Sequence, residues 1–169
     1  MVNIRIATKA DAELLLSLSR KTFSQTFAAQ NSEADMKAYL AENFSLARIR
    51  EELKESGTTF LLAFIDEQPA GYAKLTAARN PELPQPEQAE LARIYVLQKF
   101  QGQQIGKALL ELSLAFARQA GAEVLWLGVW EHNQKALEFY RKYNFQQFGQ
   151  HLFMLGSDAQ NDLLLKLDL

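Results

Sequence analysis

Residues 92–116 read ARIYVLQKFQGQQIGKALLELSLAF. An apolar run up to Leu97 passes into a polar loop carrying Gly102, and that loop opens into a segment with helical spacing. Ile105, Ala108, Leu109, Leu112, Ala115 and Phe116 fall on one side of a 3.6-residue repeat, and Gly121 supplies a stop. The pattern predicts a strand over 89–97 and a helix over 104–120. A second apolar run, Val124 to Val129, follows as a strand. Strand, helix and strand in succession imply a parallel pair joined by a right-handed crossover, and so an α/β fold.

Towards the N-terminus, Val2, Ile4 and Ile6 alternate as in a strand. Thr8 stands three residues before Asp11, and Ser32 three before Asp35, the spacing of capping boxes at helix starts. Leu14, Leu15 and Leu18 give the first helix its apolar stripe; Met36, Tyr39, Leu40 and Phe44 continue with helical spacing. Leu46, Ile49 and Leu53 predict a further short helix before Gly57. Thr59 to Ile65 and Ala70 to Ala77 read as two strands about a turn, and prolines 81, 84 and 86 mark an extended loop. Towards the C-terminus a helix is expected from Asn133 to Tyr143, then strands over 145–155 and 161–168. No linker or internal repeat divides the chain, so residues 1–169 are expected to form a single domain.

Composition narrows the function. A net charge of −2 offers no positive field for nucleic acid or anionic membrane. The absence of cysteine excludes disulfides, thiol nucleophiles and thiolate metal sites. The two histidines, His132 and His151, lie far apart, and no metal site is expected. The opening residues, MVNIRIATKADAELL, lack the pattern of a signal peptide, and no apolar stretch is long enough to cross a bilayer. A cytoplasmic location is expected, with no membrane partner.

The loop at 101–107 carries the chemistry. The start of a helix leaves up to four backbone N–H groups unpaired beside the positive end of the helix dipole, a ready site for phosphate. Gly102 and Gly106 allow an anion to approach the backbone, and Lys107 adds positive charge. The same glycines would also serve a plain strand-to-helix turn, and alone they do not choose.

Together with their context these residues resemble the acetyl-CoA motif of the GCN5-related N-acetyltransferase (GNAT) family. The motif stands here as Gln101-Gly102-Gln103-Gln104-Ile105-Gly106, with Gln104 where the family usually has glycine. Because only its N–H is required, Gln104 is expected to serve with a negative φ. The stretch LWLGVWEHNQKALEFYRKYNF, 125–145, resembles the family's later strand and helix, with Asn144 in a position that often holds glycine. An asparagine suits the left-handed conformation expected there. Residues 23–45 (FSQTFAAQNSEADMKAYLAENFS), 126–133 (WLGVWEHN) and 151–165 (HLFMLGSDAQNDLLL) are similar to bacterial spermidine/spermine N-acetyltransferases of the PaiA type.

The resemblance implies a mixed, mostly antiparallel sheet of about seven strands, with a splayed parallel pair and helices on both faces. It implies acetyl-CoA as co-substrate, no metal, and direct transfer of acetyl to a small amine, a polyamine above all. A protein N-terminal or lysine acetyltransferase and a non-catalytic acyl-CoA sensor remain open on the same fold, as does a homodimer. Ile94, Tyr95 and Val96 would pair with the pantetheine arm, while Gln101, Gly102, Gln103, Gln104, Ile105, Gly106 and Lys107 would bind the diphosphate. Asn133, Lys135, Ala136, Phe139, Tyr140 and Lys142 would complete the cofactor site. Tyr140 is the candidate acid for the leaving thiolate; the alternative is a core aromatic, since it shares an apolar face with Ala136, Phe139 and Tyr143. Glu90 is the candidate base through a water, or else a solvated charge at a strand start. Trp130 would wall the acceptor pocket, Trp126 would pack in the core, and Phe23, Thr26 and Phe27 would lie near the acceptor.

Overall fold

The alternating residues at the N-terminus form β1 (Val2–Ile6), and Thr8 opens a 3-10 turn that runs into α1 (Ala12–Phe27). A computed structural model describes residues 1–169. The element order continues α2 (Glu33–Asn43), α3 (Leu46–Lys54), β2 (Thr59–Ile65), β3 (Gln68–Thr76), β4 (Gln88–Val96), α4 (Ile105–Gln119), β5 (Val124–Trp130), α5 (Gln134–Lys142), β6 (Gln146–Leu155) and β7 (Asp158–Asp168).

Local signals place the helix ends. The Ser32 hydroxyl accepts the Asp35 N–H at 3.1 Å, and Ser45 caps α3 in the same way through Arg48 N–H at 3.2 Å. At Thr8 the reciprocal half of the box dominates: Thr8 N–H donates to the Asp11 carboxylate at 2.7 Å, while Asp11 is held by Arg5 at 2.7 and 2.8 Å. Asn144 takes φ 65°, the left-handed conformation expected of it.

Helix α4 shows how a buried hydroxyl shifts a stripe. Its hidden face is Ile105, Leu109, Leu110, Ser113, Leu114 and Ala117, whereas Ala115 is exposed. Ser113 reads as polar, yet its hydroxyl donates to Leu109 O at 2.7 Å and needs no water. Leu109 and Leu110 are 0% exposed, each worth about 1.5–3 kcal/mol of burial.

The seven strands form one sheet in the order β1-β2-β3-β4-β5-β7-β6. All neighbours are antiparallel except β4 and β5. That parallel pair is short: Gln88, Ala89 and Glu90 register with Val124, Leu125 and Trp126, and the ladder stops there. β5 stays paired with β7 as far as Trp130 and β4 with β3 as far as Val96, so the sheet splits between β4 and β5.

A bulge accompanies the departure. Lys74 pairs with Arg93 and Leu75 with Leu91, which leaves Ala92 as an extra residue. A bulge bends its strand and reverses the side-chain alternation beyond it. Ala89, Leu91, Ile94 and Val96 therefore pack on the α4–α5 face. Glu90, Arg93 and Tyr95 point to the opposite face, with Lys74 and Thr76, beneath α1–α3.

Candidate active site

The entrance to α4 is open. Gln101, Gly102, Gln103 and Gln104 are all exposed, and Ile105 alone turns its side chain into the core. No N–H of residues 102–107 donates to another group of the protein; the first bond of the helix runs from Ala108 N–H to Gln104 O at 3.0 Å. Six consecutive free amides beside a helix N-terminus form a cradle for an anion.

The expected negative φ at Gln104 is overturned. Gln104 takes φ 65° and Gly102 takes 81°, both left-handed. The tight turn that gathers the amides demands this at position 104, and the polar glutamine adopts it without glycine's freedom. Gly106 lies beneath Phe139, whose ring would stand 3.8 Å from an added Cβ. Lys135 reaches the loop from the first turn of α5 and donates to Gln101 Oε1 at 2.6 Å, while Gln101 donates to Val96 O at 3.2 Å. Lys142 lies seven residues further along α5, ~10 Å away at the helical rise, and is exposed.

Beyond Glu90 the edge of β4 that faces β5 is unpaired. Leu97 N–H bonds Ala70 O on the β3 side at 2.8 Å. Backbone groups alternate along a strand, so those of Ile94 and Val96 face the split. An extended polyamide arm can lie there as an added strand.

A cavity of about 160 Å³ opens at the split. Tyr140, Asn133 and Ala136 of the α5 region reach it from one face of the sheet. Tyr140 is 6% exposed, and burial alone pushes its phenol above the usual range, with no hydrogen bond or charge contributing. It therefore keeps its proton at neutral pH. Asn133 caps α5, its Oδ1 accepting Ala136 N–H at 3.2 Å.

The other face supplies an aromatic wall. Phe23 and Phe27 of α1, Tyr39 of α2, Phe44, Trp130 and Phe153 meet there, with Phe23 stacked on Tyr39 at 4.6 Å. Thr26 stays outside and bonds Thr22 O at 2.9 Å. Trp126 is only half-buried, and its indole N–H donates to Ala78 O at 3.0 Å, tying down the proline-rich loop rather than filling the core.

Two charged residues enter this cavity, and neither was legible in the sequence. Arg93 lies 4.9 Å from the Phe44 ring and is gripped by Glu52 through bonds of 2.9 and 3.0 Å. Glu52 also meets Lys74 at 3.3 Å and Arg48 at 3.4 Å. Burial works against the Glu52 carboxylate, but Arg93 and Lys74 prevail and hold it below its usual range. Asp162 of β7 is the second. Burial pushes its carboxyl up to about 6, and only the nearby His151 works against that rise. The ladder that sets Asp162 beside Trp130 and His151 is long-range, and no local motif announces it.

Glu90 does not line this cavity. It sits earlier on β4 and accepts the Thr76 hydroxyl at 3.1 Å. Burial raises its pKa, with Thr76, Lys74, Arg93 and His151 opposing.

Comparison with known proteins agrees with this geometry. The sequence model of the Acetyltransferase (GNAT) family matches residues 18–145. An N-acetyltransferase of Lactobacillus delbrueckii subsp. lactis is 36% identical over 170 residues, covering 98% of each chain. A spermidine N(1)-acetyltransferase of Thermoplasma acidophilum is 27% identical, over 86% of this chain and 88% of its own. Among solved structures, the PaiA N-acetyltransferase from Thermoplasma acidophilum in complex with coenzyme A superposes with a TM-score of 0.83 at 24% identity, covering 100% of this chain and 99% of that one. The free amides at the α4 entrance and the split sheet beside them are thus features of a chain that belongs to the acetyltransferase (GNAT) family, as an N-acetyltransferase that takes its acetyl group from acetyl-CoA.

Proposed function

We propose that the acceptor is a primary amine of a polyamine such as spermidine or spermine, acetylated by direct attack. The observation that carries this reading is the aromatic wall of the cavity, with Asp162 as its only carboxylate. Aromatic faces attract an ammonium group, and their rims accept its methylene chain. The likeness to a spermidine N(1)-acetyltransferase supports the same substrate class.

In this reading the amides of Gly102, Gln103, Gln104, Ile105, Gly106 and Lys107 hold the diphosphate, assisted by Gln101 and Lys135. Ile94, Tyr95 and Val96 carry the pantetheine arm, and Ala136 and Phe139 pack beside it. The amine nitrogen bonds to the acetyl carbon, and the carbon–sulfur bond breaks. Tyr140 gives its proton to the departing sulfur and regains one from the acetylated nitrogen, which must shed a second proton to become an amide. A protonated alkyl amine, with pKa near ~10.4, must first lose a proton. Glu90 can receive it through water. The cysteine-free composition supports a cytoplasmic location, and no helix is long and apolar enough to cross a membrane.

Calorimetry with coenzyme A, followed by turnover of acetyl-CoA with spermidine, spermine, a simple alkyl amine and an N-terminal peptide, tests the proposal. Saturable turnover of polyamines above the other amines is expected. Preference for the peptide would replace the polyamine with a protein acceptor, and coenzyme A binding without any turnover would make the protein a sensor.

A further inference from the structure

We propose that Asp162 is the residue that binds the acceptor's ammonium and takes its proton before attack. The inference rests on the amine-acceptor reading above and assigns the group that does the recognition.

The geometry begins with two ladders. β7 pairs Asp162 with Trp130 of β5 and with His151 of β6. Its side chain emerges on the α1–α3 face at the open end of the split, while Leu163 and Leu165 turn to the other face. Gly128 leaves room beside it: an added Cβ there would lie 3.3 Å from Asp162 Oδ2. Tyr140 reaches the same cavity from the opposite face. An acetyl group in the split would therefore have Tyr140 on one side and Asp162 on the other. Direct transfer needs an amine delivered to a face of the thioester carbonyl and a proton donor within reach of the sulfur, and groups on the two sides of the gap can serve these roles separately.

The charges point the same way. Arg93, the cation in the cavity, is spent on Glu52. From α2, Tyr39 faces Asp162 as a neutral phenol, raised to about 12 by burial. Tyr95 of β4 and Tyr140 of α5 are also held neutral by burial. His151, exposed on β6, is the remaining titratable neighbour. Asp162 is thus a carboxylate in an aromatic cavity with no hydrogen bond to satisfy it. Such a group is costly unless a cation completes it.

Two protons leave the nitrogen in turn. The ammonium gives the first to an Asp162 oxygen, the freed lone pair attacks the acetyl carbon, and the second passes from the acetylated nitrogen to the Tyr140 oxygen that has protonated the sulfur. Asp162 returns the proton to solvent past His151. A carboxyl near 6 narrows the gap to an amine of ~10.4 by about two units relative to an ordinary aspartate. Glu90, outside the cavity wall, receives the proton only at second hand.

The test compares Asp162→Asn with the wild type. We measure kcat/KM for spermidine from pH 5 to 9 and, separately, the affinity for coenzyme A. A loss of about 100-fold or more in kcat/KM is expected. Coenzyme A affinity should stay at the wild-type value, and the acid limb near pH 6 should vanish. Folding is read by Tm. A carboxyl raised in the folded state makes the wild type lose stability as pH climbs from about 4 through 6. The variant should escape that loss and melt higher than the wild type at pH 8. Unchanged kcat/KM, a retained acid limb, or a greater loss in Glu90→Gln would overturn the assignment. If the wild type acetylates peptide N-termini and no polyamine, the polyamine reading fails, while the same variant assayed on the peptide still decides the role of Asp162. A wild type that binds no amine overturns both.

Discussion

Tyr140 and Asp162 line one cavity from opposite faces of the same sheet. The sheet permits this because the parallel ladder of β4 and β5 ends at Glu90 and Trp126, leaving a gap through which both side chains reach a common volume. An intact ladder would separate the two residues by a continuous layer of backbone.

Tyr140→Phe removes one oxygen from the α5 side of this gap. The ring fills the same space among Phe139 and Phe145, so the fold should persist. General acid catalysis is worth roughly 10²–10⁴-fold, and kcat should fall by about that factor. KM for acetyl-CoA should hardly move. Steady-state kinetics at saturating amine checks this, and an unchanged kcat removes Tyr140 from the chemistry.

Glu90→Gln tests the more remote carboxylate. The amide can still accept the Thr76 hydroxyl, so the strand should not be disturbed. Because Glu90 lies outside the cavity wall, the expected loss in kcat/KM for the amine is about 10-fold or less, below the general-base range. Measuring it beside Asp162→Asn ranks the two groups.

Gln104 concerns the anion loop. A non-glycine residue in the left-handed region costs about 1–2 kcal/mol, of which glycine returns part to unfolded-chain entropy. Gln104→Gly should raise Tm by about 1–4 °C and leave coenzyme A affinity unchanged, since the amides stay where they are. Gln104→Val should do the reverse on both counts, because a β-branched residue resists φ 65°. Thermal melts and calorimetry of the two variants supply the comparison.

Glu52 anchors Arg93 beneath the aromatic cavity. It is 4% exposed and satisfies Arg93, Lys74 and Arg48 together. Glu52→Ala would leave buried cations without a counter-charge, at about 3–5 kcal/mol. Tm should drop by on the order of 10 °C. Its lowered pKa sets the sign with pH: the stability it contributes is present above the ordinary carboxylate range and is lost as pH falls below it. The gap in Tm between wild type and variant should therefore close in acid.

Much of the architecture was legible because it rests on local signals. Ser32 caps α2, Asn144 turns left-handed after α5, and the glycine-bearing loop at 101–106 opens α4 as its sequence requires. The charged residues of the cavity, Arg93 and Asp162, were not legible. Two-residue alternation counted straight along β4 would put the side chain of Glu90 on the face of Ile94 and Val96. The bulge at Ala92 reverses the count and joins Glu90 to Arg93 instead. Nothing local marks that extra residue.

The sequence by itself determined where an anion could be gripped, since a helix start and its free amides are made by neighbours in the chain. Only the tertiary structure decided what lines the cavity at the split. Asp162 pairs with Trp130 and shares a cavity with Phe27 and Tyr140 through strand pairings and helix packing between segments far apart in sequence. Whether a carboxylate lies in water or in an aromatic cavity, and so whether it is an ordinary surface charge or a group poised near 6, is set by those long-range contacts.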